Sequence, residues 1–282
     1  MPDHPAETGW HYSYSKSTAK AVYLHWKNDG FSGMLSKSQI SFVKSLHQKK
    51  FRTEHSLFIV EGLKSVQEFL HSDYIIDTIY YNEIVMPKLG NLSQKIKMQQ
   101  ISSADLDRIS ALTTPQQVLA LVKIPQINSF NLQQLAGNFS LALDGIQDPG
   151  NLGTIIRTAD WFGIKNIICS VDTVEIYNPK VVQASMGSLP RINVVYGDLN
   201  SILKKCLVPV YGALLDGKSI YNTNFGTEGI VVLGNEGKGI RTENIDLIQM
   251  PVTIPLFGKA ESLNVAISAA IFCSEIKRNF LK

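Results

Sequence analysis

The run Phe139-Ser140-Leu141-Ala142-Leu143-Asp144-Gly145-Ile146 reads as an apolar strand, and Gln147-Asp148-Pro149-Gly150-Asn151 reads as the turn that ends it. A helix is predicted over 152–162, with Asn151 as its cap, Pro149 and Gly150 fixing the turn, and Gly163 as the stop. Ile155, Ala159 and Phe162 lie at helical spacing and mark the face toward the sheet. A strand over 166–171 follows. This is a βαβ unit with a short loop at the carboxyl end of its first strand, where open α/β sheets bind ligands. Arg157 falls away from the apolar stripe, near that loop. Its guanidinium can hold a phosphate bidentately. Spacing alone favours the plainer reading, a surface arginine paired with Asp160.

Working toward the C-terminus, a helix is expected over 179–188, a strand over 192–196, a helix over 198–205 and a strand over 208–214. A strand over 230–233 then enters the loop Leu233-Gly234-Asn235-Glu236-Gly237-Lys238-Gly239-Ile240. Its glycine order is G-x-x-G-x-G, unlike the G-x-G-x-x-G of dinucleotide folds, and Ile240 and Arg241 stand where a P-loop would carry Lys-Ser/Thr. Glycines let backbone lie against a flat ligand and donate N–H groups to it. Glu236 is a ligand contact or a brace of the loop, with the brace somewhat favoured. A last strand over 252–256 leads into Phe257-Gly258-Lys259-Ala260-Glu261-Ser262 and a helix over 263–278, with Ser262 as its expected cap. That helix is apolar nearly all round and is expected to be largely buried. Asn264 near its start then needs partners, from a cofactor, a neighbouring loop or a second subunit.

Working toward the N-terminus, residues 126–138 are polar and broken and read as a linker. Residues 34–125 alternate as a small α/β unit. Helices are expected over 36–46, 62–71, 84–97 and 103–112 (the last capped by Ser103), and strands over 57–60, 75–81, 98–101 and 118–124. Residues 1–33 lack a clear period and read as a dispensable extension. Met34 directly precedes the first credible helix start and could itself be the initiator.

Bulk properties narrow the function. The 282 residues are 44% hydrophobic and 18% charged, a globular composition. No run of eighteen apolar residues is present and residues 1–33 do not read as a signal peptide, so a cytoplasmic protein is expected. Three scattered cysteines make neither a disulfide framework nor a metal cluster. All six histidines lie at or before His71, which makes a histidine base or a histidine-ligated metal in the C-terminal half unlikely chemistry for this chain. The net charge of +3 arises within residues 34–125, where Lys49, Lys50 and Arg52 cluster. Such a cluster suits a phosphate backbone or is simply a solvated helix end.

Taken together, Asp148-Pro149-Gly150-Asn151-Leu152-Gly153 with Arg157-Thr158-Ala159-Asp160, then Leu233 to Gly239, then Ile254-Pro255-Leu256 with Ser262-Leu263-Asn264-Val265, resemble the three motifs of the SpoU/TrmH family of RNA 2′-O-methyltransferases. They occur in order, each at a predicted strand end. Ala184-Ser185-Met186-Gly187-Ser188 also resembles the family, and the likeness spans roughly 139–278. More weakly, Phe58-Ile59-Val60-Glu61-Gly62 and Thr113-Thr114-Pro115-Gln116-Gln117-Val118 resemble a small RNA-binding domain that many members carry in front. The family usually has glycine where Gln117 stands.

The resemblance implies a trefoil-knotted α/β methyltransferase domain over 139–282, using S-adenosylmethionine and pairing as a homodimer. It implies that Gly234, Ile254 and Leu263 contact the cofactor through their backbones, framed by Leu233, Asn235, Gly237, Pro255, Leu256 and Asn264. Arg157 takes the place of the catalytic arginine, and Asn151, Glu236, Ser262 and Asn264 match the other polar site positions. RNA is the expected partner, ribosomal RNA by analogy with the front domain, held in part by Lys49, Lys50 and Arg52. No metal and no membrane are expected. The rival expectations are a tRNA ribose or RNA base methyltransferase of the same fold, and a non-catalytic RNA-binding assembly factor.

Overall fold

A computed structural model describes residues 34–90, 92–126 and 131–281. The expectations for residues 1–33 lie outside them. The front unit carries α1 (Lys37–Ser45), α2 (Lys49–His55), β1 (Leu57–Glu61), α3 (Leu63–Leu70), β2 (Ile76–Tyr81), β3 (Lys97–Gln100), α4 (Ser103–Ile109) and β4 (Val118–Lys123). Its strands form one sheet in the order β1-β4-β2-β3. Only the β2–β3 pair is parallel.

The C-terminal unit carries β5 (Phe139–Asp144), α5 (Pro149–Trp161), β6 (Asn166–Ser170), α6 (Pro179–Ala184), β7 (Asn193–Gly197), α7 (Leu199–Lys205), β8 (Val210–Ser219), β9 (Gly229–Gly234), α8 (Thr242–Ile245), β10 (Met250–Thr253) and α9 (Val265–Asn279). Its six strands are all parallel, in the order β10-β8-β9-β5-β6-β7. β5, β6 and β9 are buried nearly throughout. That is why they read as continuous apolar runs rather than alternating ones. The chain winds outward from β5 to β7, then returns to the other side of β5. The winding therefore reverses at β5 and β9, and a ligand crevice belongs at their carboxyl ends.

Most expected elements fall within a few residues of the observed ones. The helix expected over 84–97 does not form. A 3₁₀ turn, Glu83–Lys88, stands there, holding Pro87 and followed by Gly90 at a positive φ of 73°. Proline removes a helical donor and a left-handed glycine ends the turn, so no α-helix propagates. The fourth front helix is capped by Ser102, whose hydroxyl accepts from the Asp105 amide, and not by Ser103.

Arg52 corrects the expected RNA-binding cluster. Its side chain is 2% exposed. It donates to the carbonyls of Leu46 and His47, at 2.9 Å each, and pairs with Glu175 at 2.5 Å. Charge clustering in sequence placed it with Lys49 and Lys50. Helical geometry turns it inward instead, and an acid 123 residues away neutralises it. Lys49 and Lys50 remain exposed. We expect Arg52→Met to destabilise the fold by about 2 kcal/mol, the scale of losing hydrogen bonds to a charged group while stranding its partner. A lowered urea midpoint at unchanged slope would register this; an unchanged midpoint would show the pair to be energetically idle.

Candidate active site

Three loops meet at the carboxyl ends of β5, β9 and β10. The first opens α5. Asp148, rather than Asn151, caps this helix by accepting from the Asn151 amide at 2.7 Å, and Pro149 occupies the first turn, where its missing N–H costs nothing. Asn151 is thereby freed for the site. Its amide donates to Glu236 Oε1 at 2.5 Å, and its Oδ1 accepts from Asn264 Nδ2 at 2.9 Å. The Asn264 oxygen accepts from the amides of Ala266 and Ile267, so Asn264 caps α9 where Ser262 was expected to. One chain of hydrogen bonds therefore joins a polar residue from each of the three loops. Asn264 finds its partners in a neighbouring loop and its own helix.

The glycine loop closes on itself. The Asn235 and Gly239 amides and carbonyls bond each other reciprocally at 3.0 and 2.8 Å. The Asn235 side chain accepts from the amides of Gly237 and Lys238 and donates to the Gly145 carbonyl at 2.7 Å. Asn235 is thus a brace between the second loop and the first. At Gly234 a Cβ would overlap the Gly239 carbonyl carbon and the Ile240 amide, so only glycine permits this closure.

Beneath the loops lies a network that the motif reading did not single out. Asp144, the buried last residue of β5, accepts from the Arg241 amide and from Asn244 Nδ2, both at 2.9 Å. Arg241 reaches Asp144 at 3.3 Å and clasps Asp172 at 2.5 and 2.6 Å. Ser170 links Asp172 to the Gly145 amide. The available signal was an acid ending an otherwise apolar strand, which needs a partner once buried.

Arg157 lies on the outer stripe of α5 with Thr154 and Trp161, exposed. Among the described residues it makes no ion pair and no side-chain hydrogen bond. The expected partner, Asp160, is taken by Arg191 at 2.8 Å. Burial raises the Asp160 carboxyl, but hydrogen bonds from Arg191 and Ser188 outweigh it and hold the acid below its ordinary range. Among the described residues, then, no acid pairs with Arg157.

The segment 255–263 after β10 makes no backbone hydrogen bond to any described residue, and Leu256, Ser262 and Leu263 are exposed. A row of free backbone donors and acceptors beside a tight glycine loop, with apolar side chains interleaved, has the donor set that an adenosine-like ligand requires. S-adenosylmethionine fits that set. No group of histidine, cysteine and acidic side chains suited to a metal occurs among the described residues. Nor is any described helix long and apolar enough to cross a membrane.

The comparisons with known proteins agree with this arrangement. Residues 138–274 match the SpoU rRNA Methylase family and residues 37–120 match an MRM3-like substrate binding domain. The 23S rRNA (guanosine(2553)-2′-O)-methyltransferase RlmP of Bacillus subtilis is 34% identical over 239 residues, covering 83% of this chain and 94% of that protein. A structure from Porphyromonas gingivalis, described as an RNA methyltransferase of the TrmH family, shares 39% identity. It superposes with a TM-score of 0.78 over 87% of this chain and 99% of its own. An AdoMet-bound rRNA methyltransferase from Sinorhizobium meliloti, 28% identical, gives 0.76 over 88% and 98%. The loop order, the joined polar residues and likenesses that cover 83–88% of the chain lead to one assignment: the chain belongs to the SpoU rRNA methylase family.

Proposed function

We propose that this protein transfers the methyl group of S-adenosylmethionine to a ribose 2′-hydroxyl of ribosomal RNA. The observation that carries the reading is the joining of Asn151, Glu236 and Asn264 across three strand-end loops, with Arg157 exposed on the same helix as Asn151 and unpaired among the described residues. Leu233, Gly234, Asn235 and Gly237 on one side, and Ile254, Pro255, Leu256, Leu263 and Asn264 on the other, would hold the cofactor. When bound, it supplies an electrophilic methyl group on a sulfonium. The chain's own task is positioning, since an in-line displacement gains most from fixed geometry. Arg157 would hold a substrate phosphate in its planar fork and stabilise the alkoxide as the hydroxyl loses its proton. Guanidinium hardly ever gives up its own proton, so Arg157 serves as a donor and not as the base. The Asn151–Glu236 and Asn151–Asn264 bonds hold the loops in register, with the exposed Ser262 two residues before Asn264. Isothermal titration with S-adenosylmethionine tests the pocket: saturable binding supports it, and no heat of binding would mark a protein that only carries the fold.

The finer features follow the same reading. Residues 34–125 serve as the RNA-binding domain, 126–138 as linker and 139–282 as the transferase domain. A trefoil knot is supported by the path of the chain, which leaves the sheet at its edge by β10 and returns with α9 onto the central α5. Lys49 and Lys50 are proposed RNA contacts. Replacing both by alanine is expected to weaken RNA binding at all sequences and to reduce the salt slope of log K by about 2. An unchanged slope would remove them from the interface.

A homodimer through the C-terminal unit is supported by an apolar face. α9 packs along α5, and its outer side keeps Ile267 52% exposed, while Trp161 on α5 is 84% exposed. Trp161 shares its stripe with Arg157, so pairing there would bring a second subunit to the reaction site. Sedimentation of the full chain at micromolar concentration is expected to give a dimer, and Ile267→Arg a monomer that stays folded. A native chain that sediments only as monomer would contradict this.

A further inference from the structure

The front unit does not meet the C-terminal unit only through a linker. Arg52 is buried against Glu175. The Phe58 and Tyr177 rings stack with centroids 4.5 Å apart, and the Tyr74 and Tyr177 hydroxyls lie 3.4 Å apart. One apolar core runs through both units, from Val60, Val66 and Phe69 to Val181, Leu189 and Ile192. These contacts fix the units together but stand apart from the loops of the site.

A second set of contacts reaches the site's own helix. The turn after α6 places Met186 at φ 51° and Gly187 at φ 85°. A left-handed non-glycine residue is uncommon and persists only where its surroundings impose it. The turn also packs closely on the front unit, since a Cβ on Gly187 would stand 2.7 Å from Glu68 Cγ on α3. Three residues beyond the turn's Ser188, Arg191 bridges the units. It pairs with Glu68 of the front unit at 2.5 Å and holds Asp160 of α5 through three hydrogen bonds of 2.8–3.1 Å. Asp160 lies one helical turn from Arg157. A single guanidinium therefore connects α3 directly to the helix that presents the unpaired arginine.

We propose that Arg191 and Glu68, with the Met186–Gly187 turn, set the angle between the RNA-binding unit and α5, and so determine which nucleotide of a bound RNA reaches Arg157. This rests on the reading of the chain as an RNA ribose methyltransferase. Arg191 and Glu68 are partly exposed, and such pairs contribute little to stability. Their geometric effect is larger, because a misplacement of about 1 Å at a reacting centre costs on the order of a hundredfold in rate. They are positioning residues: they touch neither substrate nor cofactor, and they act by holding two surfaces that do.

Glu68→Gln takes the charge from the arm between the units, leaving at most a neutral hydrogen bond, and leaves Arg191 on Asp160. Arg191→Lys keeps a charge but cannot fork to both acids. The full-length variants should be assayed with radiolabelled S-adenosylmethionine and ribosomal RNA from cells lacking the protein, with the modified positions mapped. Both should bind S-adenosylmethionine and melt as the native chain does. Their KM for RNA should rise about tenfold, and methyl groups should appear at neighbouring nucleotides. An unchanged KM with the same modified position would overturn the proposal. Amide exchange judges the junction without any turnover. Residues 63–70 should be protected in the native chain and exchange faster in Glu68→Gln. Fast exchange there in the native chain would overturn the proposal as well, whereas a native chain that transfers no methyl group to RNA would overturn the functional reading instead.

Discussion

Arg157→Ala is expected to lower methyl transfer by about 100- to 1,000-fold, the usual cost of removing one transition-state donor, while S-adenosylmethionine binds as to the native chain. The expectation follows from where the charge sits. Arg157 stands on the outer stripe of α5, exposed, and Asp160, its nearest acid in sequence, is already held by Arg191. No described side chain bonds the guanidinium, so its removal breaks nothing in the fold. On the proposed reading, what it loses is the guanidinium fork that would engage a phosphate once RNA is bound. Arg157→Lys should restore little, because a point charge cannot reproduce bidentate geometry. Paired titration and single-turnover assays separate the outcomes. A defect confined to cofactor affinity, or a near-native transfer rate, would reassign this residue.

Gly234→Val should produce the opposite pattern, with cofactor affinity falling about 10- to 100-fold before any RNA is present. The cause lies inside the loop. A side chain there would drive into the backbone of Gly239 and Ile240, so the 234–240 loop must open. Forced overpacking costs about 1–3 kcal/mol, and each 1.4 kcal/mol is a factor of ten in binding. Gly237 makes the control. A Cβ there meets only the Asn235 Oδ1 atom at 3.7 Å, so Gly237→Ala keeps the loop closed and should lose less affinity than Gly234→Val. Equal affinity for Gly234→Val and the native chain would show that the closed loop is not part of the pocket.

Much of this site was legible in the sequence because its loops are written in residues with strong local preferences. Pro149 suits the first turn of α5, Gly239 takes the left-handed conformation that closes the glycine loop, and apolar runs such as Phe139–Asp144 fix the strands that deliver them. Where two residues could do the same job, the sequence did not decide between them. Asp148 and Asn151 can each cap α5, and Ser262 and Asn264 can each cap α9. The choice depends on where the loops meet, and the meeting of Asn151 with Glu236 and Asn264 is a tertiary fact.

Long-range pairing was not legible for a related reason. Nothing near Arg52 announces Glu175, and nothing near Arg191 announces Glu68. A charge count therefore placed Arg52 on the surface, although its neutralised side chain is among the most buried in the chain. Asp144, an acid ending an apolar strand, signals a need for a partner, but nothing near it in sequence points to Arg241 or Asn244. The helix expected over 84–97 is lost for a local reason: Pro87 and the left-handed Gly90 outweigh its apolar spacing.

The most direct measurement of the central claim is nucleoside analysis of the product. Ribosomal RNA and, separately, tRNA from cells lacking the protein are incubated with the purified chain and S-adenosylmethionine bearing a labelled methyl group, then digested to nucleosides and resolved by mass spectrometry. The account predicts label in one 2′-O-methylnucleoside, absent when Arg157→Ala replaces the native chain. Label on a nucleobase, or label in tRNA with none in ribosomal RNA, would contradict it.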